Sequence, residues 1–219
     1  MSRLALRFVL MPDAGAARRV PRLLAEREAR VAKENRVDPW GRVFATAERG
    51  YFMGNRDSGD AWITCSLRDP DGAASSEPVE YTKLFFLDEA TALAAGHRPC
   101  GQCRRKDYEI FKRFWETASR DPIDSTLRAE FDTALDPSAG YATRRAEQLP
   151  PGAMFATDGK AYLAWQRLAF AWSSGGYTAA GLLKEFGKVQ VLTPPSTELV
   201  LEAGYRPSVH PSVLRGRAQ

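Results

Sequence analysis

Cys100 and Cys103 are separated only by Gly101-Gln102, and Cys65 is the one other cysteine in the chain. Thiolates are strong zinc ligands, and two of them at this spacing on a tight turn form half of a tetrahedral site. Three cysteines cannot all pair as disulfides, so the usage fits a reducing compartment and reads as metal-binding or redox chemistry. Arg98, Arg104 and Lys106 flank the pair and favour the thiolate, the form a metal requires. Cys65 is the only thiol left to serve as third ligand. For the fourth there are two histidines. His97, three residues before Cys100 across Arg98-Pro99, is the first choice, since zinc prefers imidazole to carboxylate. His210, a carboxylate and water are the alternatives. The expected cofactor is zinc, and the expected metal set is Cys65, His97, Cys100 and Cys103.

The charge pattern bears on the same place. The formal net charge is +4. Between Arg98 and Arg113 there are six basic residues and two acidic ones, so the positive excess of the whole chain is matched by this one segment. Such a run is either a solvated helix face or a phosphate-binding patch. Arg98, Arg104, Arg105 and Lys106 are the expected nucleic-acid contacts.

The run LDEATALAAGHRPCGQC, ending at Cys103, resembles the metal-binding N-terminal domain of the Ada DNA-repair and methylation-response proteins. There a short helix and an A-G-aromatic-R-P segment lead into Cys-x-x-Cys. The run is also similar to short cysteine-containing tail modules attached to some bacterial nucleases. The likeness covers residues 79–105, while the whole chain looks like a family of bacterial proteins without an assigned activity. It implies a zinc-holding fold and association with DNA. The Ada domain also supplies an upstream Cys-x-x-x-Cys pair, one member of which accepts a methyl group from a DNA phosphotriester. Here Cys65 stands alone, Ser66 to Arg68 offer no second thiol, and His97 replaces the aromatic. Methyl transfer is therefore not carried over, and Cys65 as a zinc-bound nucleophile is the lesser reading.

These residues need elements to hold them. Residues 20–33 have helix composition behind Pro21, and Asp38-Pro39-Trp40-Gly41 breaks it. Residues 43–46, 51–53, 61–65 and 79–87 have strand texture. Gly54-Asn55-Arg56-Asp57 reads as a turn rather than a site. Asp88 is the expected N-cap of a helix over 89–95, with Gly96 its stop. A second helix is expected over about 103–119, with Tyr108, Phe111, Trp115 and Ala118 forming one apolar stripe. A third spans 124–135. Asp158-Gly159 predicts a hairpin between strands 153–157 and 160–166, with a further strand at 188–192 and a short helix at 196–203. Residues 197–207 echo residues 89–99, each a short helix, a Gly stop, a ring side chain and Arg-Pro, which reads as shared helix-stop chemistry.

The expected fold class is α+β: a small zinc-bearing α/β module followed by a helical link and a β-rich C-terminal part. The expected divisions are an N-terminal helical segment at 1–40, the zinc module at 41–120 and the C-terminal part at 121–219. No run reaches the roughly 20 apolar residues of a membrane span; the longest uncharged one, 168–183, contains Ser173-Ser174-Gly175-Gly176. Arg7 interrupts the apolar start of the chain, so a cytoplasmic location is expected. No P-loop, G-x-G-x-x-G or Ser-His-Asp spacing is visible. The leading functional expectation is a zinc-stabilised nucleic-acid-binding protein in DNA repair or regulation. A metal-dependent hydrolase or nuclease with an open zinc position, and a zinc-stabilised protein-interaction module, are the alternatives, so enzymatic activity stays open.

Overall fold

The computed structural model describes residues 35–37, 43–45, 49–52, 61–65, 82–134 and 142–215. The helix expected over 20–33 and the turn at Gly54-Asn55 lie outside them. The fold is α+β. Strands β1 (Asn35–Val37) and β2 (Val43–Ala45) form an antiparallel pair. Strands β3 (Arg49–Phe52), β4 (Trp62–Thr64), β5 (Thr82–Phe85) and β6 (Arg98–Pro99) form a four-stranded sheet in the order β5-β3-β4-β6, with β4 and β6 parallel.

The C-terminal part is strand-rich. Strands β7 (Thr143–Arg145), β8 (Met154–Thr157), β9 (Lys160–Trp165), β10 (Leu168–Ser173), β11 (Gly176–Leu182) and β12 (Lys188–Val191) build an antiparallel six-stranded sheet in the order β11-β10-β9-β8-β12-β7. Asp158 and Gly159 take φ of 48° and 75° in the β8–β9 turn, as an Asp-Gly hairpin requires. Beyond the expected strands, the uncharged run at 168–183 forms a further hairpin, β10–β11, turned at Ser174-Gly175 with a bulge at Ala169/Phe170.

Five α-helices, α1 (Glu89–Ala94), α2 (Arg105–Ala118), α3 (Ile123–Ala134), α4 (Pro195–Ala203) and α5 (Pro211–Arg215), and two short 3-10 turns, Ala146–Gln148 and Leu183–Glu185, complete the described structure. None is long and apolar enough to cross a membrane. The six-stranded sheet is covered on both faces, and its period-2 alternation sorts side chains into two cores. Phe155, Ala164 and Ala169 join Phe111 and Trp115 of α2 and Val200 and Leu201 of α4. The intervening Met154, Leu163 and Phe170 join Ala90 and Ala94 of α1 and Val213 of α5. Leu93 of α1 also reaches the first core, so α1 contributes to both, whereas α2 contributes to the first alone.

The two echo segments end their helices identically. Gly96 N–H donates to Leu93 O (3.0 Å) and His97 N–H to Ala92 O (2.9 Å). In the second copy Gly204 N–H donates to Leu201 O (3.1 Å) and Tyr205 N–H to Val200 O (3.1 Å). Both glycines have positive φ, 77° and 124°, and this is the paired bonding of a Schellman stop. The ring residue that follows is thereby turned back toward the core: His97 is 1% exposed and Tyr205 3%.

Candidate metal centre and the cavity beside it

The parallel β4–β6 register brings the thiols together. Ile63 pairs with Arg98 and Thr64 with Pro99, so Cys65 and Cys100 are the next residues on adjacent strands. The Cys100 N–H donates to Thr64 O (3.0 Å), extending that pairing by one step. The chain then turns through Gly101-Gln102, and Arg104 N–H closes the turn on Cys100 O (3.1 Å), which carries Cys103 back over the pair. The sulfurs of Cys65, Cys100 and Cys103 all lie within 4.8 Å of one another. Tetrahedral zinc thiolates, with Zn–S near 2.3 Å, place sulfurs about 3.8 Å apart, so a small rearrangement would let the three share one metal ion.

Their electrostatics favour a cation in the middle. Hydrogen bonds from Cys103 and Cys65, with a 3.4 Å contact from the Gln102 N–H, hold the Cys100 thiol down to about 2. The cost falls on Cys65, whose thiol is pushed far up by its bonds to Cys100 and Cys103 and by burial. The opposite shifts of Cys65 and Cys100 show that charge on one sulfur opposes charge on its neighbour; a divalent cation would remove that repulsion and let the thiols ionise together.

His97 stands outside this group. Along an extended strand, residues 97 and 100 project to opposite faces, while Arg98 shares the face of Cys100. The imidazole is enclosed by Phe86 and Trp62, with ring centroids 4.7 and 5.2 Å away, and its Nδ1 bonds Ala95 O at 2.9 Å. Burial holds it neutral, with its pKa lowered to about 3. It fills an aromatic nest. The described residues bring together three of the four expected ligands.

Two of the four expected phosphate contacts are committed to the fold. Arg98 donates to Asp124 through Nε (2.6 Å) and Nη2 (2.9 Å), and its guanidinium lies 4.8 Å from the centroid of Tyr108. Arg104 bonds Glu89 through Nη2 (2.8 Å) and Asp107 through Nε (3.0 Å). Arg105 and Lys106, on the first turn of α2, are exposed, and among the described residues no carboxylate pairs with either.

A cavity of about 780 Å³ adjoins the thiol group, lined by Cys65, Cys103, Arg105, Lys106, Glu89 and His210 among others. Two buried carboxylates, Asp88 and Glu89, are part of its lining. Asp88 caps α1 through Thr91 N–H (2.9 Å) and accepts from Tyr177 Oη (3.1 Å) and the His210 N–H (3.0 Å). Glu89 accepts from Tyr205 Oη (2.7 Å), Arg104 and the Ser208 N–H (2.7 Å). Burial pushes the Glu89 carboxyl up, and the Arg104 guanidinium opposes it. Sequence reasoning named Asp88 as a cap only, and missed Glu89 and Tyr205. The one signal was the echo, which placed Tyr205 where the first copy has His97. Because Tyr205 donates to a carboxylate, Tyr205→Phe is expected to lower stability by about 2 kcal/mol in urea unfolding. A loss below about 0.5 kcal/mol would show that bond to be dispensable.

The chain matches no family model, and no curated protein or solved structure matches it.

Proposed function

We propose that this chain is a zinc-stabilised nucleic-acid-binding protein in which Cys65, Cys100 and Cys103 hold the ion while Arg105 and Lys106 meet phosphates. The observation that carries the reading is the convergence of three sulfurs within 4.8 Å at a turn that leads, two residues later, into an exposed cationic helix start. Soft thiolate donors in a compact group suit zinc better than the hard cations. The ion's task is to lock the turn, so that the first residues of α2 present their side chains from a fixed backbone. The Ada-like run supports DNA as the partner and repair or regulation as the setting, and the free thiols support a cytoplasmic location.

A second reading, a metal-dependent hydrolase or nuclease, is favoured by one observation. The described residues supply three ligands, and two of those cysteines line a cavity. A catalytic zinc site keeps such an open position. Three thiolates around a divalent ion leave a net negative centre, however, which blunts the Lewis acidity needed to activate water. Nucleic-acid binding is the better-supported reading.

The test is fluorescence anisotropy with labelled single- and double-stranded DNA and RNA across a salt series. Log affinity should fall with log salt by about 0.7 to 0.9 per phosphate contact. Replacing Arg105 and Lys106 together with Ala should weaken binding for all sequences alike and reduce that slope by up to about 2. Neither side chain is buried or paired among the described residues, so the fold should be retained. Arg104 is the wrong residue for this experiment, since its loss would leave Glu89 without its cation. No binding to any nucleic acid at low salt would reject the reading and leave the enzyme and protein-interaction alternatives.

A further inference from the structure

His210 is held along one edge of its ring. Its Nδ1 lies 2.9 Å from Ser212 Oγ and 3.3 Å from Ser212 N. A backbone N–H can only donate, so Nδ1 is an acceptor there. Ser212 Oγ already accepts from the Tyr177 N–H at 2.8 Å, which leaves its own proton for the same Nδ1. A neutral imidazole that accepts at Nδ1 carries its proton on Nε2. The Nδ1 and Cε1 atoms also lie against Gly176, where a Cβ would come within 3.2 and 3.3 Å of them. His210 lines the cavity beside the thiols, and Nε2–H is the ring donor that remains for a ligand there.

We propose that this cavity is a binding pocket for a phosphate monoester, with His210 donating Nε2–H to a phosphate oxygen and Arg105 and Lys106 supplying the counter-charge. The carboxylates in its lining are otherwise engaged. Asp88 is saturated by Thr91, Tyr177 and the His210 N–H, while Glu89 and Asp107 are both paired with Arg104. Three carboxylates (Asp88, Glu89, Asp107) and three cations (Arg104, Arg105, Lys106) line the cavity, so it carries no formal positive excess, and a phosphate is held locally by Arg105 and Lys106, the two cations that pair with no carboxylate among the described residues. A monoester carries about −1.5 to −2 at neutral pH and matches two cations better than a singly charged diester does. A volume of about 780 Å³ is that of a small-molecule site and accommodates a terminal nucleotide, not the body of a duplex. Among the described lining residues Phe86, the one benzenoid ring, is 2% exposed, and the His210 imidazole is the other ring, so the pocket is built more for the phosphate than for a base.

The identity of the source as a nucleic-acid end rests on the function proposed above; the phosphate chemistry does not. The experiment uses the full chain loaded with zinc and two labelled single strands of one sequence, with a 5′-phosphate or a 5′-hydroxyl, plus AMP and inorganic phosphate as competitors. The 5′-phosphate strand should bind about tenfold tighter, and AMP should displace it. His210→Phe should reduce the preference to less than threefold, and His210→Gln, which restores an N–H, should recover part of it. Displacement by AMP is read on the unsubstituted protein and needs no variant to fold. Equal binding of both strands with no effect of AMP would overturn the pocket and leave nucleic-acid binding standing. Binding of AMP or phosphate, lost in His210→Phe, with no binding of either strand would uphold the pocket, make a free nucleotide its source and reject the nucleic-acid reading. A preference unchanged in a folded His210→Phe protein would overturn the role of His210.

Discussion

Cys100→Ser will abolish stoichiometric zinc, and the four-stranded sheet will lose its β4–β6 pairing while the six-stranded sheet persists. The purified parent should carry about one zinc per chain, because one set of convergent thiols exists among the described residues. Cys100 is the centre of that set: it is 4% exposed, touched by both other sulfurs, and its backbone carries the bond to Thr64. Structural zinc binding contributes on the order of 10 kcal/mol or more of apparent free energy in small zinc modules, comparable with the whole stability of a domain. The cores on the two faces of the six-stranded sheet contain none of Cys65, Cys100 or Cys103, which is why unfolding should be local. Metal analysis gives the stoichiometry, and hydrogen exchange at the Cys100 amide reads the pairing. A chelated chain that keeps Cys100 protection and its full melting temperature would refute the structural role of the ion.

The second large effect is acid lability from His97. In the unfolded chain its imidazole titrates near 6.5, and in the fold burial holds it down to about 3. The unfolded state therefore binds the extra proton first as pH falls. The stabilisation is complete above about 6.5 and is lost progressively toward 3. The full span is worth up to about 5 kcal/mol at 1.36 kcal/mol per pH unit of separation. His97→Phe should remove this dependence, since a phenyl ring suits the Phe86 and Trp62 nest and has nothing to protonate. Unfolding free energies of parent and variant, measured from pH 7 to pH 4, should diverge as the pH drops; parallel curves would show that His97 is not a buried neutral ring. Thiolate protonation acts on both proteins alike and cancels in the comparison. The variant should also retain zinc as tightly as the parent, which a ligand role for His97 would forbid.

Part of this was readable from residue types alone. Asp88 and Gly96 mark the ends of α1 because a carboxylate cap and a positive-φ stop are local chemistry, complete within a few residues. Asp158-Gly159 specified its hairpin for the same reason. The α2 stripe was legible because Phe111 and Trp115 repeat at the helical period and are both buried. What escaped depended on partners distant in sequence. β6 is two residues long, too short for a pattern, yet it decides that Cys100 faces Cys65 and His97 faces away. The counter-ions of Arg98 and Arg104 lie at Asp124 and Glu89, so a basic run that looked uniformly available was half neutralised by the fold. The hairpin at 168–182 had no alternation to reveal it: β10 buries the consecutive Ala169 and Phe170, β11 is exposed from Thr178 to Ala180, and the residues read as a continuous uncharged stretch.

The parallel register that sets Cys65 beside Cys100 also makes any shared ion a cross-link across a long covalent loop. Closing that loop in the unfolded chain removes conformational freedom worth about 4 kcal/mol by the same chain-entropy reasoning applied to disulfides. The dependence on length is logarithmic, so doubling the loop would change the term by only about 0.6 kcal/mol. Segments inserted between Cys65 and Thr82 would therefore barely alter the cross-link's worth. A single residue inserted between Pro99 and Cys100 would shift Cys100 off its strand face, and one inserted between Cys100 and Cys103 would break the turn that brings Cys103 back. The worth of the cross-link thus depends weakly on the length of chain it closes and strongly on the spacing of the residues that hold the ion.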